Sequence, residues 1–436
     1  MTKFNELLGK ATNEIPFYHQ PIFQIIIIGL VAGVQPGRIS SIFRCFSNFI
    51  PSHFTLKRFY NFINSGKIPW RKLWDALLLE LGDPSVDGRI LLALDDELSP
   101  KTGKKIQDCA THFDHAAKMN SAKYIWGNCR VVVGLLRFIH HRWAFLPLAQ
   151  GLYKPLAKKV KSSAKLPYAE WLKTKSGIAA QRIIGIAGKF TQNSILIVSD
   201  SWFCSAPLIK EVRAHISGSV HILSRLRVSA AIFDLPGPRV KKRGRAPRYG
   251  KRLPNVRELS TQLRNQARTA EIHVYGKERE ISFSEIICMS KALKCRVKVI
   301  FVYYRNFAFP LVTTDLSLPA ERMIEYYSAR WKIESGFKEI KHEIGSLDSQ
   351  CRNLSAVDNH FQLCLFATSI AWVYASKLPL APPRRHPTRR SNAFAFADIR
   401  RKIASEISSS DIFAGCCRKS FSSHGFSACF SIFSVV

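Results

Sequence analysis

The sequence predicts an α/β protein in which a mixed β-sheet is flanked by helices and preceded by an N-terminal helical domain. Between residues 89 and 228 the apolar segments follow the order three strands, helix, strand, helix, strand. A β-rich stretch then interrupts this pattern, and a long charged helix follows it. The chain has 436 residues, of which 47% are hydrophobic, so it is long enough for roughly two to three domains with buried cores.

Residues 1–88 are predicted to form the N-terminal helical domain. Residues 54–79 alternate aromatic with basic positions, a pattern typical of helices that dock on DNA and equally of an ordinary amphipathic bundle. Ile25–Val34 is the longest apolar run, and it is shorter than the span of about 20 residues that a membrane helix needs. We therefore expect a buried helix there and no membrane partner.

Residues 89–228 are predicted to form the first part of the α/β core. Three strands come first, over Arg89–Asp95, Cys129–Phe138 and Arg142–Ala149. A helix, a strand, a second helix and a last strand follow, over Tyr168–Lys189, Ser194–Asp200, Ala206–Ser217 and Val220–Val228. This order of elements is that of the ribonuclease-H-like fold, a mixed sheet with helices on both faces.

Residues 229–298 are predicted to be a β-rich basic insertion in that core. Its run from Arg239 to Arg252 contains eight Lys or Arg residues and no acid, which indicates either a nucleic-acid contact or a solvated loop. The candidate DNA-binding residues of this run are Lys241, Lys242, Arg243 and Arg245. Residues 299–377 are predicted to complete the core with a long helix over Pro319–Gly345, and residues 378–436 to form a linker and C-terminal tail.

The charge balance favours a nucleic-acid partner. The chain has 65 Lys and Arg residues against 31 Asp and Glu residues, which gives a net charge of +34 and a pI near 10.0. Such an excess repels itself in the compact state unless a polyanion offsets it. The eleven cysteines are scattered and odd in number, and no signal peptide opens the chain, so we expect a cytoplasmic location with free thiols.

Two of the predicted core strands end in aspartate, at Asp95–Asp96 and at Asp200. Neighbouring strands place their carboxyl ends side by side at one edge of a sheet, where substrates bind in open α/β folds. Carboxylates brought together there repel each other unless a cation lies between them, and a divalent cation with oxygen ligands meets that need. A single aspartate at a strand end is usually structural, whereas two in a strongly basic chain predict a metal site.

Four residues of the predicted long helix fall on one stripe, about 60° wide at about 100° per residue. They are Tyr327, Arg330, Glu334 and Lys341. On such a stripe Glu334 can complete a metal site, while Arg330 and Lys341 can bind flanking phosphates. Tyr327 can donate a hydrogen bond to a phosphate and stack on a base. The alternative is an ordinary charged helix in which Glu334 pairs with Arg330 or Lys338.

The spacing Tyr-x2-Arg-x3-Glu-x6-Lys of these four residues resembles the signature of the insertion-sequence-4 superfamily of bacterial cut-and-paste transposases. Leu91–Ser99 and Ile195–Trp202 are similar to the two aspartate strands of that family. The interval of 134 residues from Asp200 to Glu334 is similar to that of members with a β-rich insertion before the glutamate helix. The resemblance covers residues 89–345.

This resemblance implies a DNA transposase of the Asp-Asp-Glu (DDE) type with two Mg²⁺ ions, for which Mn²⁺ substitutes. The implied catalytic metal ligands are Asp96, Asp200 and Glu334. Asp95 is the alternative to Asp96, because adjacent residues of a strand point to opposite faces. The implied reaction is strand cleavage at the ends of an insertion sequence, followed by transfer of the 3′-OH to target DNA. Its partners are double-stranded DNA, as terminal inverted repeats and target, and a second copy of the chain in a homodimer at the bacterial nucleoid.

Three other functions remain open from the sequence. A basic membrane-associated protein is supported only by Ile25–Val34, and partitioning of the expressed protein tests it. The remaining two act on or bind DNA. One is a ribonuclease-H-like DNA nuclease that cleaves without strand transfer, and an assay for joined products separates it from a transposase. The other is a catalytically silent DNA-binding protein derived from a transposase, which a metal titration distinguishes.

Overall fold

In the part of the chain that the structure describes, one mixed sheet of eleven strands is flanked by helices, which confirms the predicted α/β class with a ribonuclease-H-like core. The computed structural model describes residues 2–114, 117, 119–156, 166–237, 247–305, 307–387 and 393–408. The predicted DNA contacts Lys241, Lys242, Arg243 and Arg245 lie outside the described residues.

The strands follow the chain in an order close to the predicted one. They are β1 (Arg89–Pro100), β2 (Ala110–Phe113), β3 (Tyr124–Ile139), β4 (Arg142–Tyr153), β5 (Ser194–Ser199), β6 (Val220–Arg225), β7 (Ile232–Phe233), β8 (Arg268–Val274), β9 (Lys277–Ser290), β10 (Cys295–Tyr304) and β11 (Phe307–Thr313). In the sheet they lie in the order β2-β3-β1-β5-β6-β11-β10-β9-β7, with β4 paired to β3 and β8 paired to β9.

The centre of the sheet is parallel and its two sides are antiparallel. β1 pairs in parallel with β5, which pairs in parallel with β6, whereas β3 runs antiparallel to β1 and β4 antiparallel to β3. The apolar run from Ile90 to Leu94 in β1 is fully buried, as expected for a strand covered on both faces. This central pair of strands places the first two candidate acids at the same edge.

The stretch predicted as an insertion is continuous with the core sheet. β9 pairs with β10, β10 with β11, and β11 with β6, all antiparallel. The predicted boundary between residues 298 and 299 falls inside β10. In the described residues the β-rich stretch is therefore an extension of the core sheet.

The described residues contain thirteen α-helices. They are α1 (Lys3–Thr12), α2 (Gln20–Ala32), α3 (Ile39–Phe46), α4 (Leu56–Ile63), α5 (Trp70–Leu81), α6 (Tyr168–Trp171), α7 (Lys175–Ala187), α8 (Ala206–His215), α9 (Val256–Gln262), α10 (Ala320–Ala329), α11 (Trp331–Lys338), α12 (Leu354–Ser376) and α13 (Phe396–Ser408). None of them combines the length and the apolar character that a membrane span requires.

The N-terminal helices pack against the C-terminal ones. The buried residues of α2 include Ile25, Ile27 and Ile28, and this helix contacts both α12 and α13. Arg400 of α13 donates a hydrogen bond to the carbonyl of Val31, 2.9 Å away. The predicted buried helix at Ile25–Val34 is confirmed, and its partners come from the opposite end of the described chain.

Three predicted elements differ from the structure. The first strand does not end at Asp95 but continues to Pro100, because its later residues pair with β3. The predicted long helix is divided at Arg330 into α10 and α11 and ends in a π-helical turn, Glu339–Glu343. The segment predicted as part of the tail contains α13, whose apolar residues are buried at helical spacing.

Candidate active site

Asp95 and Asp200 lie on the same face of the sheet. The parallel register of β1 and β5 pairs Ala93 with Val198 and Leu94 with Ser199, and Asp95 and Asp200 are the next residues along each chain. Residues that share a register position in adjacent strands point to the same face. The two carboxylates therefore approach each other at the carboxyl end of the parallel pair, as the sequence predicted for its strand-end acids.

The environment of Asp95 disfavours its charged form. Burial and the neighbouring carboxylate of Asp200 raise the pKa of Asp95 to about 7, against a smaller opposing effect of the Arg330 guanidinium. Its Oδ2 accepts a hydrogen bond from Nη1 of Arg330 at 3.2 Å, and its Oδ1 accepts one from the backbone N–H of Asp96 at 2.9 Å. A cation placed between Asp95 and Asp200 would offset this repulsion.

Asp96 points to the opposite side of β1. Its Oδ2 accepts a hydrogen bond from the ammonium of Lys175 at 2.7 Å and lies 3.7 Å from the thiol sulfur of Cys129. Lys175 stands in the first turn of α7, on the other side of the strand from Arg330. The structure therefore brings Asp95, the alternative first ligand, beside Asp200, and places the preferred residue Asp96 on the opposite side of the strand.

The chain turns sharply after Asp200, and this turn fixes its side chain. Oδ1 of Asp200 accepts hydrogen bonds from the backbone N–H groups of Trp202 at 2.9 Å and Phe203 at 3.3 Å. Ser224 of β6 donates a hydrogen bond to the carbonyl oxygen of Asp200 at 2.8 Å. The carboxylate is therefore held in place by backbone donors before any ligand binds.

Arg330 links Asp95 to Glu334. Its Nη2 donates a hydrogen bond to Oε1 of Glu334 at 2.9 Å, while its Nη1 bonds Asp95. Arg330 has an 11% exposed side chain, whereas that of Glu334 is 38% exposed. The predicted alternative, in which Glu334 pairs with Arg330, is thus observed, but Arg330 also bonds the candidate acid Asp95.

A glycine allows α11 to approach the sheet closely. A Cβ atom on Gly336 would stand 2.6 Å from Cδ1 of Phe145 in β4, which is closer than real Cβ contacts. Gly336 follows Glu334 by two residues, so this close packing sets how near the glutamate helix lies to β1 and β4. A larger residue at position 336 would move the helix away.

Tyr327 and Lys341 have other contacts than those predicted. The ring of Tyr327 is 9% exposed and packs against Phe309 and Arg330, so it offers little free face for stacking on a base. The ammonium of Lys341 lies 3.0 Å from Oε1 of the buried Glu97 and donates to the carbonyl of Leu98 at 3.0 Å. Lys341 still borders the open cleft, where a phosphate can approach it.

A cleft of about 1440 Å³ opens over these acids. Its walls include Asp95, Asp96 and Asp200, and both Lys175 and Lys341. Three further basic residues line it that the sequence analysis did not single out: Arg225, Arg227 and Arg257. Lys175 also was missed, because nothing in its local sequence indicates that α7 would bring it beside Asp96.

The described residues bring together two of the three proposed metal-binding acids. No group of three His, Cys, Asp or Glu side chains among them lies close enough together to hold a metal ion. Asp95 and Asp200 suit a hard divalent cation, because two carboxylate oxygens meet there and positive charge between them relieves their repulsion. Oε1 of Glu334 instead accepts a hydrogen bond from Arg330.

A family profile of DDE superfamily endonucleases matches residues 23–280, which is more than half of the chain. The chain belongs to this family. The matched range contains Asp95, Asp96 and Asp200 and ends before α10, so it does not reach Glu334. Comparison with curated proteins gave no match.

DDE superfamily endonucleases generally use divalent metal ions, and their substrate is DNA. Membership therefore agrees with the two features that the site has without any ligand. These are the repelling carboxylates of Asp95 and Asp200 and the basic residues around the cleft. It also agrees with the net charge of +34, which DNA phosphates would offset.

Proposed function

We propose that this DDE endonuclease is a transposase of the insertion-sequence-4 superfamily, which cleaves DNA at the ends of an element and joins the 3′-OH to target DNA. The observation that carries the proposal is the pairing of Asp95 with Asp200 on one face of the sheet, with Arg330 connecting Asp95 to Glu334. Tyr327, Arg330, Glu334 and Lys341 keep the spacing of the family signature.

Asp95, Asp200 and Glu334 are the proposed ligands of two Mg²⁺ ions, for which Mn²⁺ can substitute. Bound metal would lower the pKa of the attacking water and stabilise the leaving 3′ oxygen. Asp95 replaces Asp96 in this set, since Asp96 forms an ion pair with Lys175 on the other side of the strand. Asp200 is already oriented by two backbone N–H donors.

Arg330 is proposed to exchange its carboxylate partners for a DNA phosphate. Guanidinium binds phosphate and carboxylate with the same fork of donors, so a phosphate entering the cleft competes with Asp95 and Glu334. Once Arg330 turns to the phosphate, the half-exposed carboxylate of Glu334 becomes free to join the two aspartates. The same movement places a positive charge on the strand that is to be cut.

Further parts of the chain are proposed to hold the DNA. The N-terminal helices of residues 1–88 and the basic residues Lys241, Lys242, Arg243 and Arg245 would bind the DNA that flanks the cleaved phosphate. Two copies would act together as a homodimer, since joining both ends of an element requires two active sites. The net charge of +34 supports this extensive phosphate contact.

The first test is strand cleavage by Glu334→Ala in Mg²⁺. We expect a fall of between about 10²- and 10³-fold, because a proposed ligand of the metal ions that stabilise the transition state is lost. Ser335→Ala is the matched control, since Ser335 is the adjacent exposed residue of α11. Cleavage by Glu334→Ala at the wild-type rate would contradict the assignment.

The second test separates a transposase from a nuclease. The protein is incubated with a labelled DNA fragment carrying the ends of its own element and with a supercoiled target plasmid. A transposase gives labelled DNA joined to the plasmid, whereas a nuclease of the same family gives cleaved ends alone. Cleaved ends without joined products would remove strand transfer from the proposal and leave the nuclease.

A further inference from the structure

The wall of the cleft on the Asp96 side carries a lysine held between aromatic rings, and the proposed reaction does not use it. The ammonium of Lys175 lies 5.3 Å from the ring centre of Tyr153 and 5.6 Å from that of Trp202. It also donates a hydrogen bond to Asp96 at 2.7 Å. We call Asp96, Tyr153, Lys175 and Trp202 the lysine wall.

Lys175 is fixed in place before any ligand binds. Its side chain is 20% exposed, and it stands in the first turn of α7, which Thr174 caps by accepting a hydrogen bond from the backbone N–H of Gly177. An ammonium has three N–H donors. In the described residues Asp96 accepts one of them, so Lys175 can keep this partner and still donate to a phosphate oxygen in the cleft.

Stability alone does not explain this ion pair. A half-buried Lys–Asp pair contributes little to folding, because the loss of hydration offsets most of the attraction. The pair instead places one positive charge beside the residue that neighbours Asp95 in the chain. Burial and the nearby Lys175 lower the pKa of His112, which also lines the cleft, and so disfavour a second positive charge beside Lys175.

Trp202 adds a flat apolar surface next to this charge. Its indole is 43% exposed and borders the cleft, and its inner edge packs against the buried ring of Phe203 at 4.8 Å. Its backbone N–H is bonded to Oδ1 of Asp200. This hydrogen bond and the contact with Phe203 hold the exposed indole close to Asp200, a proposed metal ligand.

We propose that the lysine wall is a nucleotide subsite, in which Lys175 binds a phosphate and Trp202 stacks on the base of the DNA strand next to the cleaved phosphate. This deepens the proposed function and rests on it for the identity of the strand. Aromatic stacking beside a positive charge is how proteins hold single-stranded DNA without sequence preference. Lys175 and Trp202 would contact the DNA itself, and neither is a proposed metal ligand.

The test measures binding, so it does not depend on cleavage. The probes are a fluorescein-labelled 20-nucleotide strand of mixed sequence and the corresponding duplex, titrated by anisotropy in Ca²⁺ with intact DNA verified on a gel. We expect Lys175→Gln to bind the single strand about tenfold more weakly and to lower the slope of log affinity against log salt by about 0.7. Lys175→Arg keeps the charge and should recover most of the affinity.

Trp202→Ala should lower the affinity for the single strand about tenfold and the affinity for the duplex less, because the bases of a duplex are already stacked on each other. Trp202→Phe should keep most of the binding. The matched control is Lys173→Gln, since Lys173 is an exposed lysine two residues away that pairs with Glu170. Its affinity should stay within about twofold of the wild type, as expected for a charge outside the cleft.

Either of two results overturns the subsite. One is an equal loss of affinity in Lys175→Gln and Lys173→Gln, and the other is unchanged single-strand binding in Trp202→Ala. If Lys175→Gln lowers the thermal midpoint, Lys175→Arg and Trp202→Ala decide the question instead. A wild type that fails to cut DNA while both variants bind weakly would contradict the proposed activity and leave the subsite standing.

Discussion

Asp95 and Asp96 are adjacent in one strand, yet their surroundings differ in almost every respect. Asp95 faces Asp200 and Arg330, and its pKa is raised to about 7. Asp96 faces Lys175 and Cys129 and forms a close ion pair. The side on which Arg330 only partly offsets the repulsion between two carboxylates is the one suited to a divalent cation, while the side with a matched ion pair is suited to position DNA.

The same contrast extends to the residues that follow. Glu97, on the Asp95 side, is 2% exposed and pairs with Lys341 of the glutamate helix segment. This ion pair connects β1 with the π-helical turn Glu339–Glu343, which follows α11. One face of the strand contacts the glutamate helix through Glu97, the other face contacts α7 through Asp96, and the cleft borders residues of both faces.

The largest expected effect comes from replacing Asp95 and Asp96, one at a time, by asparagine. Asp95→Asn should lower strand cleavage in Mg²⁺ by between about 10²- and 10³-fold, because it removes a ligand from the Asp200 side. Asp96→Asn should lower it by at most about tenfold, since it frees Lys175 without touching that side. A single-turnover assay measures both cleavage rates, and a larger loss of rate in Asp96→Asn than in Asp95→Asn would contradict the contrast between the two aspartates.

The contact between β1 and the glutamate helix predicts a large effect on stability. Lys341→Ala leaves the buried carboxylate of Glu97 without its ion pair, which should lower the free energy of unfolding by about 3–5 kcal/mol. The double variant Glu97→Gln/Lys341→Met should recover most of this loss, because no buried charge then remains unpaired. Urea unfolding measures both variants, with Lys338→Ala, an exposed lysine of α11, as the control. A loss below about 1 kcal/mol in Lys341→Ala would show that the pair is not a structural contact.

A smaller effect is expected from pH, and its sign follows from the raised pKa of Asp95. The pKa is 3.8 for an ordinary aspartate and about 7 in the folded protein, so the folded state holds this proton more tightly. In metal-free buffer the contribution of Asp95 to the free energy of unfolding is therefore present below pH 3.8 and is lost as the pH rises to about 7. The groups that act on this carboxyl are Asp200, Asp96 and Arg330.

Asp95→Asn removes that part of the pH dependence. Relative to the wild type, the variant should become progressively more stable as the pH rises from 4 to 7 and should gain nothing further above that range. Thermal or urea unfolding at several pH values measures this difference. A constant difference across the range would mean that Asp95 is not under the repulsion that the metal site requires.

Much of the fold follows from the sequence because its strands are long apolar runs with clear ends. Ile90–Leu94 and Ile195–Val198 read as buried strands and are buried strands. α13 was missed although Phe396, Ile399, Ile403 and Ile407 repeat at helical spacing, because the proline- and arginine-rich segment before it reads as a linker. The extension of the sheet by β9 and β10 was not predictable, since strand pairing between distant segments leaves no local signal.

The sequence predicted which types of residue form the candidate site, but it did not predict which of them contact each other. Strand alternation places Asp95 and Asp96 on opposite faces, but the sequence does not say which face receives α11. That choice depends on Gly336 packing against Phe145 and on the register of β1 with β5, both of which are tertiary contacts. The positions of Lys175 beside Asp96 and of Glu97 beside Lys341 also depend on tertiary contacts, so the sequence did not predict them.

Metal binding by three forms of the protein tests the central claim most directly. Calorimetric titration with Mn²⁺ compares the wild type with Asp95→Asn and Asp96→Asn. If Asp95 and Asp200 share the cation, Asp95→Asn should bind it about a hundredfold more weakly or worse, and Asp96→Asn should bind it nearly as well as the wild type. Loss of Mn²⁺ binding in Asp96→Asn, with binding retained in Asp95→Asn, would contradict the account.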